Sequence, residues 1–201
     1  MGYPLKLAQM DMLSKCYDRA MAALRADAVR SRARILDAAR GLPSESIRLN
    51  DLARDTGLGV GTVYRHFPTV TALLEALNFA ALTELVEVAE AVAATASPGR
   101  GFADLIRTSV ELQIANDGLQ VVLMAPDVSP EARVLREKFF RSTTTALDAA
   151  IEEGRVRPEL SIEQIQRLVC GVEYAIGLGS GEDQSLLLDV MISGLRPSTS
   201  S

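Results

Sequence analysis

A chain of 201 residues and 21.6 kDa is sized for one ordinary domain, or for a small domain joined to a larger one. With 48% hydrophobic and 23% charged residues it can build a core, which excludes a disordered or collagen-like chain. The net charge of −5 argues weakly against a nucleic-acid partner, but the average hides an asymmetry. Residues 25–67 carry eight arginines against five acids, whereas residues 68–201 carry ten basic against nineteen acidic side chains. A small basic module followed by a larger acidic one suits a protein that touches phosphate with one part only.

Cys16 and Cys170 supply neither a disulfide framework nor a zinc site, and a reduced, cytoplasmic location is the expectation. The Ala/Leu/Val-rich stretch from Ala72 to Ala94 is interrupted by Glu75, Glu84, Glu87 and Glu90, so no membrane span is expected, and no secretory signal pattern is visible.

In chain order, residues 1–24 stand apart, holding four of the six Met and two of the three Lys. They read as an N-terminal extension, with Leu13, Tyr17, Met21 and Leu24 on one helical stripe. An upstream extension with Met21 as the functional start is a second reading. From there on the periodicity is helical, which predicts an all-α fold with helices over 30–40, 49–55, 60–66, 69–95, 101–116, 130–153, 161–178 and 183–195. Gly and Pro punctuate the breaks, as at Gly57-Leu58-Gly59, Phe67-Pro68 and Ala125-Pro126. The expected division is 25–75 for the basic module and 76–201 for the acidic helical part.

Within the basic module three short helices pack together. Ile35, Leu36 and Ala39 lie on the first, Leu49, Leu52 and Ala53 on the second, Val63 and Phe67 on the third. A tight Gly-containing turn at Thr56 to Gly59 joins the last two, the layout of a helix-turn-helix that presents its second helix to the major groove. The run Gly57-x-Gly59-x-Gly61-Thr62-x-Tyr64-Arg65-His66-Phe67, preceded by Asp51-Leu52-Ala53 and followed by Leu73-Leu74, resembles the amino-terminal domain of TetR-family transcriptional regulators. The resemblance covers about a quarter of the chain, residues 30–78, and implies a homodimeric, ligand-responsive regulator, with repression the leading mode.

The DNA-facing set expected from this module is Arg48, Asn50, Val60, Gly61, Thr62, Tyr64, Arg65 and His66. Tyr64 and His66 are placed to donate to phosphate oxygens, fixing register without reading sequence. Thr62 offers a hydroxyl and a methyl, and Arg65 suits guanine or phosphate. Gly59 and Gly61 remove side chains where backbone must approach DNA. Packing beneath the helix is the alternative for Tyr64, and a surface or capping role for His66. Two departures from the family pattern stand out: Gly59-Val60 replaces a common Ser-Lys pair, and Val70 a common Lys. Phosphate affinity must then lean on Arg48, Arg54, Arg65 and the row Arg30, Arg32 and Arg34. Arg48 also stands where the family commonly caps the second helix with Thr, leaving Asn50 as the candidate cap.

Beyond residue 69 no catalytic constellation is present. His66 is the only histidine, so a Ser-His-Asp or Cys-His site has nothing to build from, and no cofactor or metal motif is found. An enzyme using Tyr174, Glu173 or Asp148 is a competing class without a convincing nucleophile. A helical scaffold that has lost DNA binding is the alternative function.

The last helix is apolar around most of its circumference, and the one before it carries an apolar stripe. Ile162, Ile165, Leu168, Val169, Val172 and Ile176 form one stripe while Tyr174 and Leu178 project elsewhere, and Leu186 to Leu188, Val190 to Ile192 and Leu195 follow. Residues 161–195 are therefore expected to form a four-helix homodimer interface, with burial inside one monomer as the alternative. On the helical wheel of 101–116, Ser109, Gln113 and Asn116 fall inside the apolar arc. On that of 130–153, Arg136 and Thr143 fall beside Phe139. Those six residues are the expected site for a mainly apolar small-molecule ligand. The other reading is that the polar ones bond to each other, to backbone or to trapped water. The implied DNA partner is an imperfectly palindromic operator.

Overall fold

The computed structural model describes residues 3–197, with side chains described for residues 17–19 and 21–197. Leu13 and Cys16 of the N-terminal stretch thus have side chains outside the described residues. All described regular structure is helical. The chain divides into two compact units, residues 1–70 and 71–201.

The first unit contains α1 (Tyr3–Ala39), a single 3-10 turn at Ser44–Ser46, α2 (Leu49–Thr56) and α3 (Val60–His66). The helix expected over 30–40 is the final part of a 37-residue helix, since nothing between residues 3 and 30 breaks it and Ala, Met, Leu and Arg favour it. The stripe expected on its early part does not pack: Tyr17 and Leu24 are exposed and Met21 is half-buried. Packing begins at Ile35, Leu36 and Ala39, which meet Ile47, Leu49, Leu52, Ala53, Val63 and Phe67 in one small core. In α2 the buried positions Leu49, Leu52, Ala53 and Thr56 recur at three- and four-residue spacing, one helical face. Burying Phe67, of which 2% stays accessible, contributes on the order of 1.5–3 kcal/mol.

α2 stops because Gly57 takes φ +64°, a left-handed conformation that a side chain disfavours, and its N–H returns to the carbonyls of Ala53 and Arg54. Two residues later Gly59 opens α3. The cap of α2 differs from expectation: Arg48 is the capping residue and gives no side-chain cap bond, and Asn50 lies inside the helix, past the cap position.

The second unit comprises α4 (Val70–Ala93, whose first residue closes the first unit), α5 (Pro98–Ala115), α6 (Leu119–Met124), α7 (Pro130–Glu152), α8 (Ile162–Gly177) and α9 (Gln184–Gly194). α5 and α7 run antiparallel and touch along their length, Gly99 at the start of one meeting Ala149 and Ala150 at the end of the other. A Cβ at Gly99 would stand 2.7 Å from that backbone, so only glycine permits the approach. Phe102, Leu105, Ile106 and Val110 interleave with Phe139, Ala146, Leu147 and Ala150 to form the core.

α6 does not appear in the sequence-based elements. Gly118, at φ +90°, turns the chain tightly against Leu74 of α4, and the six residues that follow bury Leu119, Val122 and Leu123. Two polar ties hold this segment to α4: Asn78 Nδ2 donates to the Asp117 carbonyl at 3.2 Å, and the Ser129 N–H donates to both oxygens of Glu75 at 3.1 and 3.2 Å. Ser129 then caps α7, its hydroxyl accepting from the Ala132 N–H. α8 opens on a capping box between Ser161 and Gln164. α9 folds back on α8 and is pinned to α5 by the Arg107–Asp189 ion pair. Among the described residues, no single helix is long and apolar enough to cross a membrane.

Candidate nucleic-acid interface and ligand cavity

On α3, Val63 faces the core and the opposite side is open. Val60 and Tyr64 are 50% and 44% exposed, Gly61 and Arg65 are exposed, and Thr62 and His66 are half-buried. Tyr64 therefore does not pack beneath the helix. His66 tilts against Phe67, ring centroids 6.4 Å apart, leaving its imidazole partly accessible. A Cβ at Gly61 would meet nothing within 4 Å, and one at Gly59 only the Thr62 hydroxyl at 3.9 Å, so the fold itself does not demand glycine at either position. The surface they leave is smooth, with Arg65 carrying its charge at one end.

The surrounding arginines divide by what they already hold. Arg34 donates to the Thr56 carbonyl, and Arg32 lies over the Phe67 ring at 5.2 Å. Arg30 pairs with Asp27, and Arg54 with Asp51 at 3.1 Å. Arg48 donates to the Glu45 and Ile47 carbonyls at 2.7 and 2.9 Å, which fixes its guanidinium beside the start of α2, while Asn50 is exposed on that helix's first turn. Arg65 has neither an ion pair nor a hydrogen-bond partner among the described residues. The row Arg30, Arg32 and Arg34 is thus partly committed inside the chain, whereas Arg65 on α3 is uncommitted among the described residues.

In the second unit a cavity of about 750 Å³ opens between α6, α7 and α8. Its apolar wall is Leu123, Met124, Phe140 and Ile162; its polar wall is Arg136, Arg141, Thr144, Thr145, Glu163, Gln166 and Arg167. That size matches sites that take small organic molecules. A smaller recess adjoins it, sharing Arg136, Phe140 and Arg141 and adding Arg133 and Glu137.

Of the six residues expected around a ligand, Arg136 lines this cavity, held by a 2.6 Å bond from Nη1 to the Ala125 carbonyl. Ser109, Gln113, Phe139 and Thr143 are buried in the core and are not on its walls, and Asn116 is half-buried at the end of α5. Their polar groups bond to their own helices: Ser109 Oγ to the Leu105 carbonyl, Gln113 Nε2 to Ser109, Asn116 Nδ2 to Leu112 and Thr143 Oγ1 to Phe139. Gln113 Oε1 is buried without a partner. Every other cavity residue was missed by sequence reasoning, Phe140, Arg141, Ile162 and Arg167 among them. Their one available signal was the recurrence of arginine on two neighbouring helices of an acidic segment.

On α8 the Glu173 side chain is half-buried, its Oε1 shut off from solvent and without a partner, and burial pushes its carboxyl up to about 7. The outer faces of α8 and α9 expose Leu168, Tyr174, Leu178, Leu186 and Val190, while Ile165, Val169, Ile176, Leu188 and Met191 face inward. Among the described residues no cluster of His, Cys, Asp or Glu is arranged to hold a metal ion.

Residues 97–197 match the family model described as the C-terminal domain of SbtR-like transcriptional regulators. The TetR transcription regulatory protein from Mycobacterium vanbaalenii is 31% identical over 87% of this chain and 99% of its own, with a TM-score of 0.45. Two further solved structures share the fold. AmtR from Mycobacterium smegmatis has a TM-score of 0.59 and 21% identity over 84% of this chain and 87% of its own. PfmR from Thermus thermophilus has a TM-score of 0.55 and 22% identity over 84% of this chain and 97% of its own. Among curated proteins none matches the chain.

Proposed function

Because the chain belongs to the TetR family of transcriptional regulators, we propose that it is a homodimeric repressor that grips an imperfectly palindromic operator through α3 and releases it when a small ligand occupies the second unit. Members of this family are transcription factors rather than enzymes. The observation that carries the reading is the outer face of α3, where Val60, Gly61, Tyr64 and Arg65 are exposed and Arg65 is uncommitted. Direct readout falls to Thr62 and Arg65, and phosphate contact to Tyr64, His66 and Arg48, with Asn50 beside them on α2. Residues 25–75 then act as the DNA-binding module and residues 76–201 as the part that dimerises and takes the ligand, in a cytoplasmic protein.

The exposed apolar side chains on α8 and α9 support dimerisation through residues 161–195. A stripe of Leu168, Tyr174, Leu178, Leu186 and Val190 left in water is costly, and a second copy of the same face covers it. Two modules on a twofold axis place their recognition helices in successive major grooves, about 34–36 Å apart or a multiple of that. The cavity between α6, α7 and α8 supports ligand control, and α4 is the covalent link by which its occupancy reaches α3.

The deciding experiment is a mobility shift with the DNA flanking the protein's own coding region. Salt-sensitive, sequence-selective retardation is expected; binding that is equal on unrelated DNA of the same length overturns the reading.

A further inference from the structure

The second unit is acidic in total, yet four arginines gather around one opening: Arg136 and Arg141 on α7 and Arg167 on α8 line the cavity, and Arg133 lines the recess beside it. None of the four makes an ion pair among the described residues, although every other pairing described in this unit joins an arginine or lysine to a nearby carboxylate. Arg133 is balanced by Glu137 on the recess wall, so the charge that stands out belongs to the cavity. Three guanidinium groups there face one carboxylate, Glu163, which already accepts from the Ser161 hydroxyl at 2.6 Å and is held below the usual carboxylate range first by that bond and also by Arg167.

The two threonine hydroxyls on the wall have spent their donors, and Gln166 Nε2 reaches only the Cys170 sulfur at 3.9 Å. Thr144 Oγ1 donates to the Phe140 carbonyl at 2.8 Å and Thr145 Oγ1 to Arg141 at 3.1 Å. Arg136 gives one nitrogen to Ala125, and Arg167 gives Nε to the Glu163 carbonyl at 3.2 Å. Among the described residues the terminal nitrogens of Arg167 and the whole guanidinium of Arg141 have no hydrogen-bond or ion-pair partner, and they stand on different helices of one cavity. A planar fork of N–H donors matches the two oxygens of a carboxylate or phosphate, and Leu123, Met124, Phe140 and Ile162 offer a hydrocarbon surface next to it.

We propose that this cavity binds an organic anion with an apolar body, its carboxylate or phosphate head held between Arg141 and Arg167 and its hydrocarbon part against Phe140, Leu123 and Ile162. The inference rests on the ligand-responsive reading above and narrows it from a mainly apolar molecule to an anionic amphiphile.

Calorimetric titration of the full chain without DNA tests it, using octanoate, octyl phosphate, octanol and octylamine, one eight-carbon tail under four heads. At least one of the two anions binds tenfold or more tighter than octanol, and octylamine binds weakest; which anion leads separates a carboxylate from a phosphate ligand. Arg141→Gln with Arg167→Gln erases the preference while the far-ultraviolet circular dichroism and its melting midpoint stay in place. Equal binding of octanol and both anions, tightest binding of octylamine, or an anion preference that survives in a folded double variant overturns the proposal. The ranking of heads on the unsubstituted chain decides the matter even where the variant does not fold. Anion selectivity in a chain that binds no operator supports this inference and sinks the repressor reading; operator binding with no anion selectivity does the reverse.

Discussion

Arg34, near the end of α1, donates from Nη2 to the backbone carbonyl of Thr56, the last residue of α2. The final carbonyls of a helix lack intrahelical partners and carry partial negative charge, so a guanidinium there supports the turn that leads into α3. Arg34→Ala should lower the stability of the first unit by about 1 kcal/mol, read as a lower urea midpoint followed by circular dichroism. Operator affinity should fall through that loss of order, with the salt dependence of binding unchanged.

Tyr64→Ala and Arg65→Ala should behave in the opposite way. Both side chains are exposed and uncommitted, so the melting midpoint should stay within experimental error while operator affinity falls roughly tenfold or more. For Arg65 a phosphate contact would also reduce the slope of log affinity against log salt by about 1, which a titration over several salt concentrations reads directly.

Leu186 and Val190 are 61% and 63% exposed on α9, whereas Met191 is buried in the same protomer. Leu186→Asp and Val190→Asp should therefore give a folded monomer in sedimentation, with operator binding reduced at least tenfold. Met191→Asp should instead destabilise the protomer by several kcal/mol in order of magnitude, because it places an unpaired carboxylate in the core. A dimer that persists in both exposed-face variants would remove α9 from the interface.

Glu173 supplies a pH dependence whose sign follows from its burial. Its carboxyl is raised to about 7 in the folded chain against 4.5 for the ordinary group, so the folded state keeps a proton that the unfolded state releases. Below 4.5 both states are protonated and the group costs nothing. Stability then declines as pH rises toward 7, and the full cost persists above it. Glu173→Gln should flatten that decline and exceed the parent at pH 8 by about 1–2 kcal/mol, allowing for the part of the side chain that solvent still reaches. Urea unfolding at about pH 5 and pH 8, on either side of the folded-state value, measures the difference.

The helices around the turn Gly57–Gly59 were legible because local chemistry sets them: a left-handed glycine ends α2, and Leu49, Leu52, Val63 and Phe67 repeat at helical spacing. α6 was not, since six residues hold less than two turns and no period can be read from them. A helical wheel also placed Ser109, Gln113 and Thr143 correctly inside, but it carries no information on where a buried polar group finds its partner. Each turned out to satisfy its donor on the carbonyl four residues earlier. The cavity depends on how α6, α7 and α8 meet, and Arg141 and Arg167, 26 positions apart in the sequence, become neighbours of one opening only in three dimensions. The capping role expected of Asn50 failed for a simpler reason: α2 starts two residues too early for it.

Glu75 and Asn78 stand one turn apart on α4, and between them they moor both ends of the segment that carries α6, at Ser129 and at Asp117. A strut fastened at both ends to a single turn of a second rod transmits push as torque. Leu123 and Met124, on the last turn of that strut, form part of the cavity wall, so a molecule that crowds them presses on a segment whose two polar ties end on α4 at residues 75 and 78. The Ser129 amide is itself one of the two anchor points, so a loosening of that anchor would be read as faster exchange of its proton with solvent deuterium.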